Sequence, residues 1–409
     1  MQLIDYNTIG EMLQELAKFG RTPEGGVTRY SFTQNDMKAR ELVIKWMKEC
    51  DMSVRVDEAG NIIGRLGDYN KPAVALGSHI DSVPNGGIYD GPLGVTTAIA
   101  IAKKLKEQNI KPVNPLEIIV FSDEEGARFG GGLFGSKVMT GILEEDALFR
   151  VDENGISAFQ ALQDFGLDPS KLANAHRSSS EFKAYIEVHI EQAHVLEESN
   201  LGVGIVKGIA GPVHFLAEFT GKADHAGATP MTMRKDALLA ACEVALTTES
   251  IAKRAGETTV ATVGKLEVSP GATNVIPGKV VMSFDVRDIN LTNREWAVME
   301  IKQEIARVAE KRDLDYEITE LSAVAPVLLS EQLVDICEIT ACEHGIEALT
   351  MISGAAHDAM NMTKLTDVVM LFVKSVAGLS HCPQEYSYPD DIKEAANLLY
   401  FVVKKLIEQ

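Results

Sequence analysis

The 409-residue chain is poor in cysteine, in long apolar runs and in positive charge. Its five cysteines, Cys50, Cys242, Cys337, Cys342 and Cys382, are odd in number and scattered. No two stand at the spacing of a zinc knuckle or a redox pair, so reduced thiols in a cytoplasmic protein are expected. No stretch of about 18 apolar residues occurs, so no membrane span is expected. Met1-Gln2-Leu3-Ile4-Asp5 lacks a basic region followed by an apolar one, so no signal peptide is expected there. Basic residues number 39 against 59 acidic, a formal net charge of −20. Such a surface repels phosphate backbones and anionic membranes, and neither nucleic acid nor membrane is an expected partner.

Apolar residues make up 45% and charged residues 24%, the balance of a soluble globular protein. That composition excludes disorder, collagen and coiled coil for the chain as a whole. The length allows two or three domains. Pro72 to Leu76 is a short apolar run followed by Gly77-Ser78-His79-Ile80-Asp81. Asp90-Gly91-Pro92 opens a helical pattern, with Pro92 suited to the first helical position. Leu116 to Phe121 is a second apolar run, rich in β-branched residues, and it leads into Ser122-Asp123-Glu124-Glu125-Gly126. Two buried strands around a helix predict an α/β sheet. Phe182 to Glu191 alternates apolar and polar residues and predicts a half-buried strand.

After Gly211 the pattern changes to strand, helix, strand, strand, helix, strand, the ferredoxin-like α+β order. We expect a catalytic α/β domain over 1–210, an inserted domain over 211–324, and the rest of the catalytic domain over 325–409. Asp367 to Val373 reads as a strand, followed by Gly378-Leu379-Ser380-His381.

Ligands of open α/β sheets gather at the carboxyl ends of strands. His79, Asp81, Glu124 and Glu125 follow two predicted strands, and Asp90 stands at a helix start. His189 lies on the polar side of a third strand, and His381 follows a fourth. Imidazole with carboxylate is the ligand set of a hydrolytic divalent-metal site. Taken singly, each has an ordinary reading: a hydrogen-bonded histidine, a solvated Glu-Glu loop, a helix cap. Together they recur at four strand ends, and adjacent glutamates offer one ligand and one free base.

These residues resemble a known family. Gly77 to Val83, Tyr89 to Val95 and Ser122 to Phe129 look like the dinuclear amidohydrolases of the aminoacylase and carboxypeptidase superfamily. His189-Ile190-Glu191-Gln192, Asp224 to Met231, Asn274-Val275-Ile276-Pro277, Ser353 to Asp358 and Ser380-His381-Cys382-Pro383 narrow the likeness to the N-carbamoyl-L-amino acid hydrolase and allantoate amidohydrolase branch. The resemblance spans essentially the whole chain. It implies a metal-dependent exopeptidase-like catalytic domain with an inserted lid and dimerisation domain, a homodimer, and two divalent ions per subunit, with zinc, manganese, cobalt or nickel as candidates. It implies that Asp90 bridges the ions, with His79 and His189 completing one site and Glu125 and His381 the other. Asp81 would orient His79, Glu124 would be the general base, and His225 would stabilise the oxyanion, often in the partner subunit's site. Gln192, Asn274, Arg287, Gly354 and His357 match positions that contact a small anionic substrate. An alternative for Arg287 is a salt bridge with Asp285 or Asp288. For His357 it is a core hydrogen bond.

Other features are weaker. Gly130-Gly131-Gly132 is followed by no phosphate-loop Lys-Ser/Thr pair and reads as a turn. Cys382 has no base argued beside it. Many branch members carry Gly-Gln-Arg where this chain has Gly211-Pro212-Val213, which favours a substrate less polar than allantoate. The expected reaction is hydrolysis of an N-carbamoyl or N-acyl L-amino acid. The alternatives are an allantoate or ureide amidohydrolase, an aminoacylase or dipeptidase, and a metal-binding pseudoenzyme.

Overall fold

The computed structural model describes residues 4–409; Met1, Gln2 and Leu3, on which part of the leader expectation rests, lie outside the described residues. The chain divides into two compact units. The larger contains residues up to Lys207 together with Leu329–Met351 and His357–Gln409. The smaller is Gly208–Leu328 with the short return segment Ile352–Ala356, which no local pattern had marked. Among the described residues no helix is long and apolar enough to cross a membrane.

The larger unit is built on a mixed sheet. Its strands run in the order Ser53–Val56, Ile62–Leu66, Leu116–Phe121, Ala73–His79, Phe182–Ile190, Val368–Val373, Val203–Ile209. The four strands from Leu116–Phe121 to Val368–Val373 are parallel, and antiparallel pairs flank them. Ala73–His79, Leu116–Phe121 and Val368–Val373 are buried at every residue, which explains their largely apolar sequences; the exception within Leu116–Phe121, Glu117, is paired with Arg65 and Arg177. Val74, Leu76, Ile118 and Val369 share one core with Ile99 and Leu105 of helix Pro92–Glu107 and with Val402 and Leu406 of helix Pro389–Glu408. Each such aliphatic side chain contributes about 1.5–3 kcal/mol by leaving water.

One strand departs from its expected burial. Phe182–Ile190 was expected to expose its polar side, yet only Lys183 is more than slightly accessible. Tyr185, Glu187 and His189 are fully buried. The strand lies between Ala73–His79 and Val368–Val373 in the middle of the sheet, so no face of it reaches water. Alternation here separates an apolar core from a buried polar layer.

The smaller unit has an antiparallel sheet in the order Asp315–Ala323, Gly211–Thr220, Lys279–Asp288, Val260–Ser269. Numbered within the unit, that is the 4-1-3-2 arrangement of a ferredoxin-like fold. Helices Ala237–Ala255 and Leu291–Arg312 share a core with it that contains Phe215, Phe219, Met282, Phe284, Val244 and Ile301. Phe215 and Phe284 stack at 4.6 Å between ring centroids. Asp236 and Asn290 cap the two helices by accepting from N–H groups in the first turn. Along Lys279–Asp288 buried and accessible residues alternate strictly, the half-covered strand that the same pattern failed to produce at Phe182–Ile190.

Candidate dinuclear metal centre

Parallel strands bring their carboxyl ends to one edge of the sheet. His79 ends Ala73–His79, Glu124 and Glu125 follow Leu116–Phe121, and His189 stands one residue from the end of Phe182–Ile190. Asp90 precedes helix Pro92–Glu107, and His381 lies in the loop after Val368–Val373. Gly91 makes the approach possible. Its φ is +81°, and a Cβ there would stand 2.4 Å from the His79 ring. A side chain at 91 would therefore displace the imidazole and strain the backbone.

Asp90 is the hub. Its Oδ1 lies 3.5 Å from His79 Nε2 and 3.2 Å from His189 Nε2. Its Oδ2 lies 3.3 Å from His381 Nε2, which is 3.6 Å from Glu125 Oε2. Two groups of ligand atoms result, His79–Asp90–His189 and Asp90–Glu125–His381, each within 4.8 Å. His79 Nδ1 stands 3.2 Å from the main-chain oxygen of Asp81, and His189 Nδ1 stands 3.0 Å from that of Ile190. A carbonyl only accepts, so each Nδ1 donates to it, and each Nε2 is the ring nitrogen turned to the centre. Both Nε2 atoms, and Glu125 Oε1, are buried without a hydrogen-bond partner. Unpartnered buried nitrogen and oxygen in this arrangement fit a pair of divalent ions that share one carboxylate.

The electrostatics point the same way. Burial would raise Asp90, but His189, His381 and His79 together hold it well below the usual carboxylate range. Burial pushes Glu124 well up, and Glu125, Asp358 and Asp81 reinforce the shift against the pull of His79. Glu125 is pushed up to about 7, first by burial and then by Asp90. Burial opposes charge on His79, yet Glu124, Asp90 and Asp81 draw it well above its usual value. The site holds more carboxylate than cation, an imbalance that a bound cation answers. Glu124 Oε2 is 3.6 Å from His79 Nε2.

Asp81 departs from its expected part. Its carboxylate accepts from the main-chain N–H of Glu124 (3.2 Å) and Glu125 (3.1 Å). It is the Asp81 main chain, at 3.2 Å, that faces the His79 ring, while the nearer carboxylate oxygen is 3.6 Å away. Gln192 reaches the centre, where its Nε2 donates to Asp90 Oδ2 at 2.7 Å. His357 is buried with its ring centroid 4.4 Å from that of His189. Burial and the His189 charge push its pKa well down.

The remaining predicted residues belong to the smaller unit. His225 is exposed, and its Nδ1 accepts from the N–H groups of Gly227 (3.0 Å) and Ala228 (3.1 Å), which leaves Nε2 as the donor of the neutral ring. The Asn274 main-chain oxygen accepts from Ala226 N. Arg287 grips Asp285 with Nε (2.8 Å) and Nη2 (2.7 Å), so the expected alternative of a strand salt bridge holds for Asp285. Asp288 instead accepts from Thr258 and Thr259. Arg287 Nη1 donates to the Gly354 main-chain oxygen at 2.7 Å. Three of the five guanidinium N–H groups are used, and one on each terminal nitrogen remains. Pro212 stands directly across from Arg287 in the neighbouring strand.

Sequence reasoning missed Glu385 and Ser380. Ser380 Oγ donates to Asp90 Oδ2 at 2.8 Å. Glu385 is buried and accepts from the N–H groups of Tyr89 (2.9 Å) and Asp90 (3.1 Å). Burial and the Asp90 charge push its carboxyl up to about 7. A partner nearly 300 positions away leaves no local pattern; the only hint was an acid just past the His381 motif.

An α/β sheet with histidine and carboxylate ligands at its strand ends defines a metal-dependent hydrolase. Residues 75–405 match peptidase family M20/M25/M40, and the chain belongs to that family. It is 41% identical over 410 residues to an N-carbamoyl-L-amino acid amidohydrolase of Geobacillus stearothermophilus, covering 99% of this chain and 100% of that one. It is 34% identical to an allantoate amidohydrolase of Bacillus subtilis, covering 98% and 97%. The crystal structure of a hydantoinase/carbamoylase family amidase from Burkholderia multivorans superposes with a TM-score of 0.93 at 31% identity, covering 100% and 99%.

Proposed function

We propose that the chain is a dinuclear metal-dependent amidohydrolase that cleaves the C–N bond of N-carbamoyl, or N-acyl, L-amino acids. The observation that carries this reading is the division of Asp90 between two ligand groups, one on each carboxylate oxygen. His79 and His189 would hold one ion with Asp90, and Glu125 and His381 would hold the other. The pair is drawn from zinc, manganese, cobalt and nickel, whose ligand preferences this set meets. Bound there, such ions would supply a water of lowered pKa and polarisation of the substrate carbonyl.

The chain's own residues supply the rest. Glu124, whose Oε2 lies 3.6 Å from His79 Nε2, takes a proton from the attacking water and gives it to the leaving nitrogen. Asp81 fixes the main chain of Glu124 and Glu125 and so sets base and ligand side by side. His225, with Nε2 as donor, stabilises the oxyanion. The two remaining N–H groups of Arg287 bind the substrate carboxylate, with Asn274, Gly354, Gln192 and His357 as further contacts. With a carbamoyl substrate, water is consumed and the amino acid, carbon dioxide and ammonia are released. Pro212 opposite Arg287 offers no hydrogen-bond donor to a polar substrate arm, which favours this series over allantoate. We place the protein in the cytoplasm as a homodimer joined through the inserted unit. Full activity from a species that light scattering shows to be monomeric would overturn the dimer and the role of His225 across it.

The deciding experiment is hydrolysis by metal-reconstituted protein of N-carbamoyl-, N-acetyl- and N-formyl-L-amino acids, with allantoate and dipeptides alongside. Free L-amino acid released from the carbamoyl series is the expected result. Turnover confined to allantoate would transfer the chain to the ureide branch, and a silent panel would favour a binding protein.

A further inference from the structure

Glu385 has no part in the chemistry above, yet it is buried at the edge of the centre. Its Oε1 accepts from the main-chain N–H groups of Tyr89 and Asp90, which fixes the backbone that carries the shared carboxylate. Its Oε2 stands 3.1 Å from Ser380 Oγ, whose hydroxyl donates between this oxygen and Asp90 Oδ2, 2.8 Å away. The chain closes tightly around this carboxylate, since a Cβ on Gly87 would stand 2.0 Å from Glu385 Oε1. Ser380 directly precedes His381, whose φ is +57°, an unfavourable conformation for a side chain with a Cβ. One buried acid therefore restrains two ligand-bearing segments that the sequence places far apart.

We infer that Glu385 and Ser380 are positioning residues that set Asp90 Oδ2 and the His381 loop for the Asp90–Glu125–His381 ion, and not for the ion at His79 and His189. The inference rests on the dinuclear reading above. Glu385 acts by accepting from the two N–H groups and aligning the hydroxyl, so its shape matters more than its charge. A glutamine at this position keeps both contacts: its oxygen accepts from Tyr89 and Asp90, and its nitrogen, a donor where the carboxylate accepts, donates to Ser380 and leaves the hydroxyl proton to Asp90.

The test uses the full chain stripped of metal and titrated with Co(II). Equilibrium dialysis with elemental analysis gives stoichiometry, and visible absorption follows each site. Wild type is expected to take two equivalents. Ser380→Ala and Glu385→Ala are expected to weaken one equivalent by about 10–100-fold and to leave the other unchanged. Glu385→Gln is expected to restore the affinity to within a few fold. Ser380→Ala keeps the test open if Glu385→Ala fails to fold, since it removes one hydroxyl and no N–H acceptor. Two equivalents bound at wild-type affinity by Ser380→Ala overturn the inference alone, as does equal weakening of both equivalents. Fewer than two equivalents in wild type overturn the dinuclear reading, and this inference with it.

Discussion

Strands Phe182–Ile190 and Lys279–Asp288 read alike on paper, each alternating apolar and polar residues, but they serve opposite ends. In Lys279–Asp288 the alternate residues remain accessible, and Arg287 and Asp285 stand on that side at modest cost. In Phe182–Ile190 both sides are buried. Glu187 there is supported by the Ser78 hydroxyl at 2.9 Å, the Tyr185 hydroxyl at 3.1 Å and Ala359 N–H at 3.0 Å. A buried carboxylate costs several kcal/mol unless such bonds compensate it. The larger unit accepts that cost repeatedly around Asp90, whereas the core of the smaller unit is almost wholly apolar. The difference teaches that the same alternation can build a buried polar layer beside the candidate centre or an accessible charged side on a well-packed sheet.

That contrast breaks if its largest expected effect is missing. Glu124→Gln should lower kcat by about 10²–10⁴-fold, the span of general acid–base catalysis, and leave metal uptake at the wild-type level. Unchanged turnover would return the buried carboxylates to a purely structural role. Next, Phe215→Ala removes a ring from the packed core of the smaller unit and should cost about 3–5 kcal/mol. Hydrogen exchange should quicken across Gly211–Thr220, with metal stoichiometry intact because every ligand lies in the larger unit. Loss of metal with that variant would mean that the two regions do not divide the work.

Recognition is sharpened by Arg287→Lys. Lysine has no planar fork to hold Asp285 and a substrate carboxylate together, so kcat/KM should fall by about 10–100-fold, chiefly through KM. A fall confined to kcat would move Arg287 from recognition to chemistry. The smallest effect concerns thiols. Burial pushes Cys50 up to about 11 and Cys337 to about 12, while Cys242 and Cys342 are exposed. Brief alkylation of folded protein should mark the exposed pair and spare the buried pair, as peptide mass mapping would show.

Much of this was legible before folding. Short, largely apolar runs marked three central strands, Pro92 marked its helix, and the candidate ligand types clustered at strand ends. What escaped notice was long-range or three-dimensional. Alternation at 182–190 could not reveal what covers its polar side. The Asp285 partner of Arg287 was visible as an alternative because it lies two residues away in a strand, on the same face. Glu385 was not, because its partners Tyr89 and Asp90 come from the far end of the chain. Gln192 was noticed for its motif, but its bond to Asp90 required coordinates.

The order in which the ligands appear along the chain also sets a timetable. His79, Asp90 and His189 all precede the inserted unit, whereas His381 is made roughly 190 residues after His189. At the ribosome's pace of about 5–20 residues per second, that interval is on the order of 10–40 s. During it the nascent chain holds one complete candidate group and two of the three members of the other, Asp90 and Glu125, while the sheet still lacks Val368–Val373. The inserted unit, with a core of its own, is synthesised in between and can settle before the larger sheet is closed. The Asp90–Glu125–His381 group is therefore complete only once nearly the whole chain has emerged.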